Sequence, residues 1–371
     1  MEQTRTPVAP PLYQRLSLVI IGLSALVFAL WVTQSLLIPL LFALLLAILL
    51  DRLVKVFSRW GINRAVGISV AVTFAMLLLA GLGYFIVTQA AHFSEAIPQL
   101  KQKVVSTGND LEHWARHAAN VQPKQLHDAV DKVKENGMEK GGVLVGKTLT
   151  TVGTLFGFFF LLPVFTFLII YYKDLFHNFL VKLFSNGGKE RLEDVLGQTK
   201  SVVQSFLIGR MFETIILAAM NWVGLMVIGV QYALLLAVLG ALMNLVPYVG
   251  MIVATFITVL VAFALQDVNA ALWVFALYCV VQFIDNHFLV PLVVGSRVEL
   301  NAFWSIVVVI AGGMLWGIPG MFLSIPIIAI LKVIFDRVPA LEPWGYVLGM
   351  GDKQADKPGK EDPHVVSSVR S

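Results

Sequence analysis

Charge is scarce in this chain. Asp, Glu, Lys and Arg make up 13% of its 371 residues, against roughly a quarter in an average soluble protein. That is too little polar surface to cover several water-soluble cores, so ordinary cytoplasmic and secreted globular domains are excluded. Cysteine is nearly absent. Cys279 stands alone in an apolar run, which excludes a disulfide scaffold. Lys plus Arg number 27 against 23 for Asp plus Glu, a net charge of +4. So small and scattered an excess excludes nucleic acid as the partner.

Enzyme signatures are missing as well. There is no Walker loop, nucleophile elbow, His-Glu-x-x-His pair or Cys-x-x-Cys. An intramembrane aspartyl protease needs two carboxyl groups close enough to share a proton. Asp285 is the one clearly embedded aspartate, and Asp267 lies about a helix length away. The chain is therefore read as not an enzyme, with no catalytic residue, metal ligand or cofactor assigned.

What the chain does have is long uncharged stretches. Leu16–Leu50 runs 35 residues, the stretch between Arg64 and Glu95 runs 30, and Thr148–Tyr172 runs 25. Thr214–Gln266 has 53, Val268–Ile284 has 17 and Leu300–Leu331 has 32. An ionised side chain at mid-bilayer costs at least a few kcal/mol, so these stretches mark the lipid-embedded parts. One spanning helix takes about 20 residues, and the three longest must each fold back. Turn chemistry places the reversals near Thr33-Gln34-Ser35, at Gly229-Val230-Gln231, at Pro247-Tyr248-Val249-Gly250, and at Trp316-Gly317-Ile318-Pro319-Gly320. The expected fold is an all-α polytopic membrane protein of about eight to ten membrane segments. It includes paired helical hairpins, either full spans or re-entrant, and a small extracytoplasmic helical insertion.

The distribution of Lys and Arg orients it. With the N-terminus in the cytoplasm, 19 fall on the cytoplasmic side, and the other eight lie in one long external segment. The short external turns carry none, so both termini are expected in the cytoplasm. The divisions are 1–15, a cytoplasmic N-terminus; 16–88, the first transmembrane helices; 89–147, an extracytoplasmic amphipathic segment; and 148–172, a transmembrane helix. There follow 173–210, cytoplasmic amphipathic helices; 211–336, a core with two hairpins; and 337–371, a largely disordered tail. The first apolar stretch far exceeds the apolar run of a secretory signal, and no cleaved leader is expected. Within 173–210, the residues Leu192, Val195, Leu196, Thr199, Val203, Phe206 and Leu207 share one helical face. Such a helix lies in the headgroup layer or docks on its neighbours.

A sparse set of polar groups remains inside the apolar helices. Gln282, Asp285, Asn286 and His287 form a dense cluster, followed by Pro291 and Arg297. Glu213 follows Arg210, Asn221 lies two turns on, and Asn244 precedes Pro247-Tyr248. An ionisable group so placed faces a bundle interior or a watery cavity. The structural alternatives are a membrane-edge cap pairing Asp285 with Arg297, a local Arg210–Glu213 ion pair, and interhelical hydrogen bonds from Asn221 and Asn244. Two Gly/Pro-interrupted hairpins, Met211–Val246 and Asn301–Phe335, flank the cluster, a pattern that points to a transporter site. Gly229, Gly250, Pro291, Gly317, Pro319, Gly320 and Pro326 are its candidate hinge and turn residues.

The segment Gly229-Val230-Gln231-Tyr232-Ala233-Leu234, followed by Asn244-Leu245-Val246-Pro247-Tyr248-Val249-Gly250, resembles the strongest signature of the autoinducer-2 exporter family of bacterial permeases. Gln282-Phe283-Ile284-Asp285-Asn286, running on to Val294-Gly295-Ser296-Arg297-Val298, is similar too, as are Gly312-Gly313 to Pro326 and the opening Leu36–Ala47. Many relatives carry Glu where this chain has Asp285, and His-Pro where it has Asn301-Ala302. The resemblance implies a multi-pass inner-membrane transporter that assembles as a homo-oligomer. It implies export of the quorum-sensing furanone signal or, in other branches, sodium/proton antiport.

The expected function is thus a permease moving a small polar solute by alternating access, with coupling to protons or sodium ions. Asp285, Asn286 and Gln282 would form the ion-sensitive group, and Asn244, Pro247 and Tyr248 would shape the site, with Glu213 and Asn221 along the pathway. Two alternatives stay open: a cation/proton antiporter, and a passive pore or membrane scaffold.

Overall fold

The computed structural model describes residues 12–94, 98, 102–103, 106, 148–183, 189–247, 249–294 and 300–349. Segment 89–147 and the tail 337–371, each read above as a unit, lie largely outside the described residues. The described residues are helical apart from short turns, without strands. In chain order the helices are α1 (Leu12–Val32), α2 (Gln34–Arg59), α3 (Arg64–Ser94), α4 (Thr148–Tyr171), α5 (Lys173–Leu183) and α6 (Lys189–Ile228). Then come α7 (Ala233–Met243), α8 (Val249–Leu265), α9 (Val268–Ile284), a π-helical segment (Asp285–Val294), α10 (Ala302–Phe335) and α11 (Glu342–Leu348).

Five helices among the described residues are long and apolar enough to cross a membrane, or six if the bent pair α4–α5 is one span. α10 passes that test on length but is not one crossing. Gly317, at φ 64° and ψ −143°, reverses it into two arms. Ser324 donates from Oγ to the carbonyls of Val308 (2.8 Å) and Gly320 (2.6 Å), which joins the arms. A Cβ at Gly312 or Gly320 would overlap the opposing arm, so the crossing requires glycine at both places. Pro319 falls in the first turn of the returning arm, where its missing N–H costs nothing.

The expected reversals at Gly229 and Pro247–Gly250 are present. Gly229 (φ 82°) and Tyr232 (φ 60°) supply the left-handed turn between α6 and α7. At the far end of α7 a Cβ on Gly250 would overlap the Met243 carbonyl, so α8 can leave only over glycine. α7 is 11 residues long, only about 16 Å of helix, too short to cross. Gln266, just past α8, donates from Nε2 to the Gly229 carbonyl at 2.5 Å. The α7–α8 hairpin therefore enters and leaves by the same end and is re-entrant.

The α10 hairpin enters from the other end. The amide of Asn301, its N-cap, donates to the Leu348 carbonyl at 2.9 Å. Arg337, just beyond its second arm, pairs with Asp194 on the charged half of α6 at 2.6 Å. Its turn points the opposite way, with Trp316 Nε1 donating to the Leu30 carbonyl at 3.1 Å. Two hairpins of opposite sense are thus carried on the long helix α6. The half of α6 bearing Val203, Phe206 and Leu207 packs on Leu45 of α2 and Leu323 of α10. The half bearing Leu217 packs on Ala241 of α7 and Val281 of α9.

Three expectations are corrected. At Thr33 the chain does not fold back: its N–H donates to the Ala29 carbonyl at 3.0 Å and its carbonyl accepts from Leu37 N–H at 2.9 Å, so helical bonding carries across. Thr33 (φ −90°, ψ 9°) is the single residue between α1 and α2, whereas an antiparallel helix pair needs a loop of about two to five residues. The boundary at 210/211 falls inside α6, a continuous helix of 40 residues. No Gly-Pro or capping signal interrupts it, and its predicted apolar face, Val203, Phe206 and Leu207 included, is buried by docking. Finally, the first hairpin is α7–α8 and not Met211–Val246, whose first arm belongs to the long helix α6. An aspartate outside the uncharged stretches is also buried. Asp51 on α2 is 5% exposed; it bonds to Lys173 at 2.7 Å and to Lys200, tying α2 to α5 and α6.

Candidate functional site

The tip of the α7–α8 hairpin meets the junction of α9 with the π-helical segment. Asn244, at the C-terminus of α7, donates from Nδ2 to Asp285 Oδ2 at 3.3 Å. Gln282, one turn earlier on α9, donates from Nε2 to the same oxygen at 3.3 Å and to Asn286 Oδ1 at 3.1 Å. The helix changes from α to π at Asp285. Such segments are rare and concentrate at functional sites. Pro291, which lacks an N–H, lies within it.

Asp285 is 2% exposed, and its second oxygen, Oδ1, has no hydrogen-bond partner. On α6, Glu213 is 1% exposed and accepts from Arg210 Nη1 at 2.5 Å, while its Oε2 is also unpartnered. Arg210 and Glu213 both lie close enough to Asp285 for their charges to interact. Asn221 is 5% exposed with a third unpartnered acceptor, Oδ1. It lies eight residues beyond Glu213, about 12 Å along the helix. A buried polar atom left without a partner costs roughly 1–3 kcal/mol. Glu213 Oε2, Asn221 Oδ1 and Asp285 Oδ1, with the unpartnered Arg210 Nε beside them, leave hydrogen-bonding capacity that a solute hydroxyl, water or an ion could use.

The wall on one side of the polar group is apolar. Leu217, Ala241 and Val281 form the adjoining layer. Beyond it Leu225, Val230, Leu236, Ala237, Ala254, Val274 and Tyr278 fill the bundle towards the Gly229–Gln266 end. The hydroxyl of Tyr278 bonds Thr258 Oγ1 at 3.0 Å and links α8 to α9 in this layer. The conformation described is therefore closed towards that end.

The predicted residues divide as follows. Asp285, Asn286, Gln282 and Asn244 are brought together. Pro247 is half-buried at the tip, and Gly250 closes the turn behind it. The anticipated Arg210–Glu213 ion pair forms, yet it also belongs to the electrostatic surroundings of Asp285. Tyr248 and Arg297 lie outside the described residues. Gly317, Pro319, Gly320 and Pro326 shape the α10 hairpin, which packs on α2, α6 and α11 and contributes no side chain to the cluster. The Thr258–Tyr278 link was not anticipated; a lone threonine and tyrosine in apolar helices give no signal that they face each other. Among the described residues no group of three or more His, Cys, Asp or Glu could hold a metal ion.

The model of the AI-2E family transporters matches residues 19–340. The chain is 24% identical over 314 residues to YrrI of Bacillus subtilis strain 168, named as a candidate transport protein, covering 82% of this chain and 86% of that one. It is 23% identical over 328 residues to YhhT of Escherichia coli K12, named in the same way, covering 88% and 91%. It is 21% identical over 306 residues to the AI-2 transport protein TqsA of Escherichia coli K12, covering 82% and 86%. With the family model spanning both hairpins and the helices between them, this chain belongs to the AI-2E transporter family.

Proposed function

We propose that this membrane transporter moves a small polar solute past Asp285, with the tip of the α7–α8 hairpin as the moving part. The observation that carries the reading is the contact of Asn244 with a buried Asp285 that keeps one oxygen unpartnered. Cargo donors would satisfy Asp285 Oδ1 and Glu213 Oε2. Withdrawal of the hairpin tip would break the Asn244 hydrogen bond and open the apolar layer formed with Ala241. Opposed re-entrant hairpins on a shared helix are the arrangement by which transporters expose one site to either side in turn.

The finer assignments belong to the same proposal. The cargo class is an uncharged solute such as the autoinducer-2 signal, exported across the bacterial inner membrane by a homo-oligomer. In the same reading the Asp51–Lys173–Lys200 end faces the cytoplasm, which the excess of Lys and Arg there supports. A second reading, cation/proton antiport, is favoured by the same orphan carboxyl oxygens, which a monovalent cation could occupy. Purified protein in proteoliposomes, tested with a panel of solutes and ion gradients, decides between them. Saturable uptake of an organic solute supports export, and sodium-driven proton movement without solute supports antiport. Non-saturable leakage would defeat both.

A further inference from the structure

Among the described residues, α5 carries an apolar face that nothing covers. Leu175, Phe176, Phe179 and Leu183 are 55–64% exposed, and their spacing places them on one arc of the helix. Lys173, Asp174, His177 and Asn178 occupy the opposite arc, and Lys182 stands at the border between the two. The helix buries no residue of its own.

Its position shows what covers that face. α4 is uncharged throughout and ends at Tyr171-Tyr172, both exposed, and Trp60, which follows α2, is exposed too. Exposed Tyr and Trp at the ends of apolar helices mark the headgroup level. There the chain turns by 58° into α5. Arg64 fixes the bend. It donates to the terminal carbonyls Ile170 and Tyr171 at 3.1 Å each and pairs with Asp174. Lys173 meanwhile reaches inward to Asp51 at 2.7 Å. A helix so turned, with aromatic and leucine side chains on one arc and a basic residue at the border, has the composition of a segment lying in the membrane plane. Lys182 here, with Arg52 and Arg59 exposed on the last turns of α2, places positive charge at that level.

We propose that α5 lies in the headgroup layer, its Leu175–Phe179–Leu183 face against the upper acyl chains and its basic border against acidic phospholipid headgroups. Through Lys173–Asp51 and Arg64–Asp174 it anchors α2 and α3 to the bilayer surface, and α6 joins the same frame through Lys200–Asp51, so that the hairpins have a fixed frame to move against. The anchor does not depend on the cargo.

The full chain, with Cys279→Ser, is labelled with an environment-sensitive fluorophore at Phe179→Cys or, on the opposite arc, at Asn178→Cys. Each is placed in vesicles of phosphatidylcholine alone or with phosphatidylglycerol added. The expected result is several-fold stronger quenching of position 179 by lipids spin-labelled near the headgroup than by aqueous iodide, with the reverse at position 178. Added phosphatidylglycerol should strengthen the lipid quenching at 179, and Lys182→Glu should abolish that increment. Iodide quenching at 179, equal quenching at both positions, disulfide crosslinking of position 179 between copies, or indifference to phosphatidylglycerol would each overturn the proposal.

Discussion

Asn244 and Asp285 lie 41 positions apart in the chain and meet where a re-entrant hairpin ends against a change of helix type, with 3.3 Å between Nδ2 and Oδ2. The contact is long for a hydrogen bond to a carboxylate, which typically closes to about 2.8 Å. A contact of that length is easily exchanged for one to cargo. Asn244→Ala is expected to lower the flux rate about tenfold while leaving expression and detergent melting temperature nearly unchanged. Unchanged flux would separate the hairpin tip from transport.

Arg210 and Glu213 act on that site together. Glu213→Gln frees a buried guanidinium, and removing one partner of a buried pair costs about 3–5 kcal/mol. Replacing both by neutral residues removes the imbalance. Arg210→Gln with Glu213→Gln should therefore be more stable in detergent than either single variant. Additive losses of stability would show that the pair is not coupled.

At the charged end, Asp51 is buried but its partners Lys173 and Lys200 are 37% and 41% exposed in their side chains. Solvent screening reduces such pairs, so Asp51→Asn is expected to cost about 1–2 kcal/mol, between the surface and buried limits. High salt should lower the melting temperature of the wild type more than that of the variant. An identical salt response in both would contradict the assignment of this network.

The arms of α10 cross over Gly312 and Gly320 without room for a side chain. Gly320→Ala should destabilise by about 1–3 kcal/mol through overpacking. Tyr278→Phe, which loses only the bond to Thr258, should cost about 1 kcal/mol. Thermal unfolding in detergent checks both, and the reverse order would mean that the arms separate readily.

Much of this was legible in the sequence. Gly229, Pro247–Gly250 and Gly317 reverse the chain because glycine alone tolerates the required backbone or the close approach. Uncharged stretches located the helices, since lipid does not solvate charge. The Gln282–Asp285–Asn286 cluster stood out for the same reason. Other features were hidden. Thr33 has the polarity of a turn but too little chain to reverse. α6 runs through Arg210 because no proline lies between Lys200 and Glu213 and the single Gly209 is buried within the continuous helix, while the positions of its charges were read as a boundary. The burial of Asp51 depends on lysines more than 100 positions away. That the hairpins enter from opposite ends rests on Gln266 reaching Gly229 and Asn301 reaching Leu348, pairings that no local pattern announces.

The most direct measurement is solute flux by Asp285→Asn, a substitution of nearly equal size, in proteoliposomes beside the wild type at matched protein content. Loss of at least tenfold in rate, with an unchanged melting temperature, is the predicted result. A wild-type rate, with the wild-type dependence on pH and sodium, would contradict the claim that cargo passes Asp285.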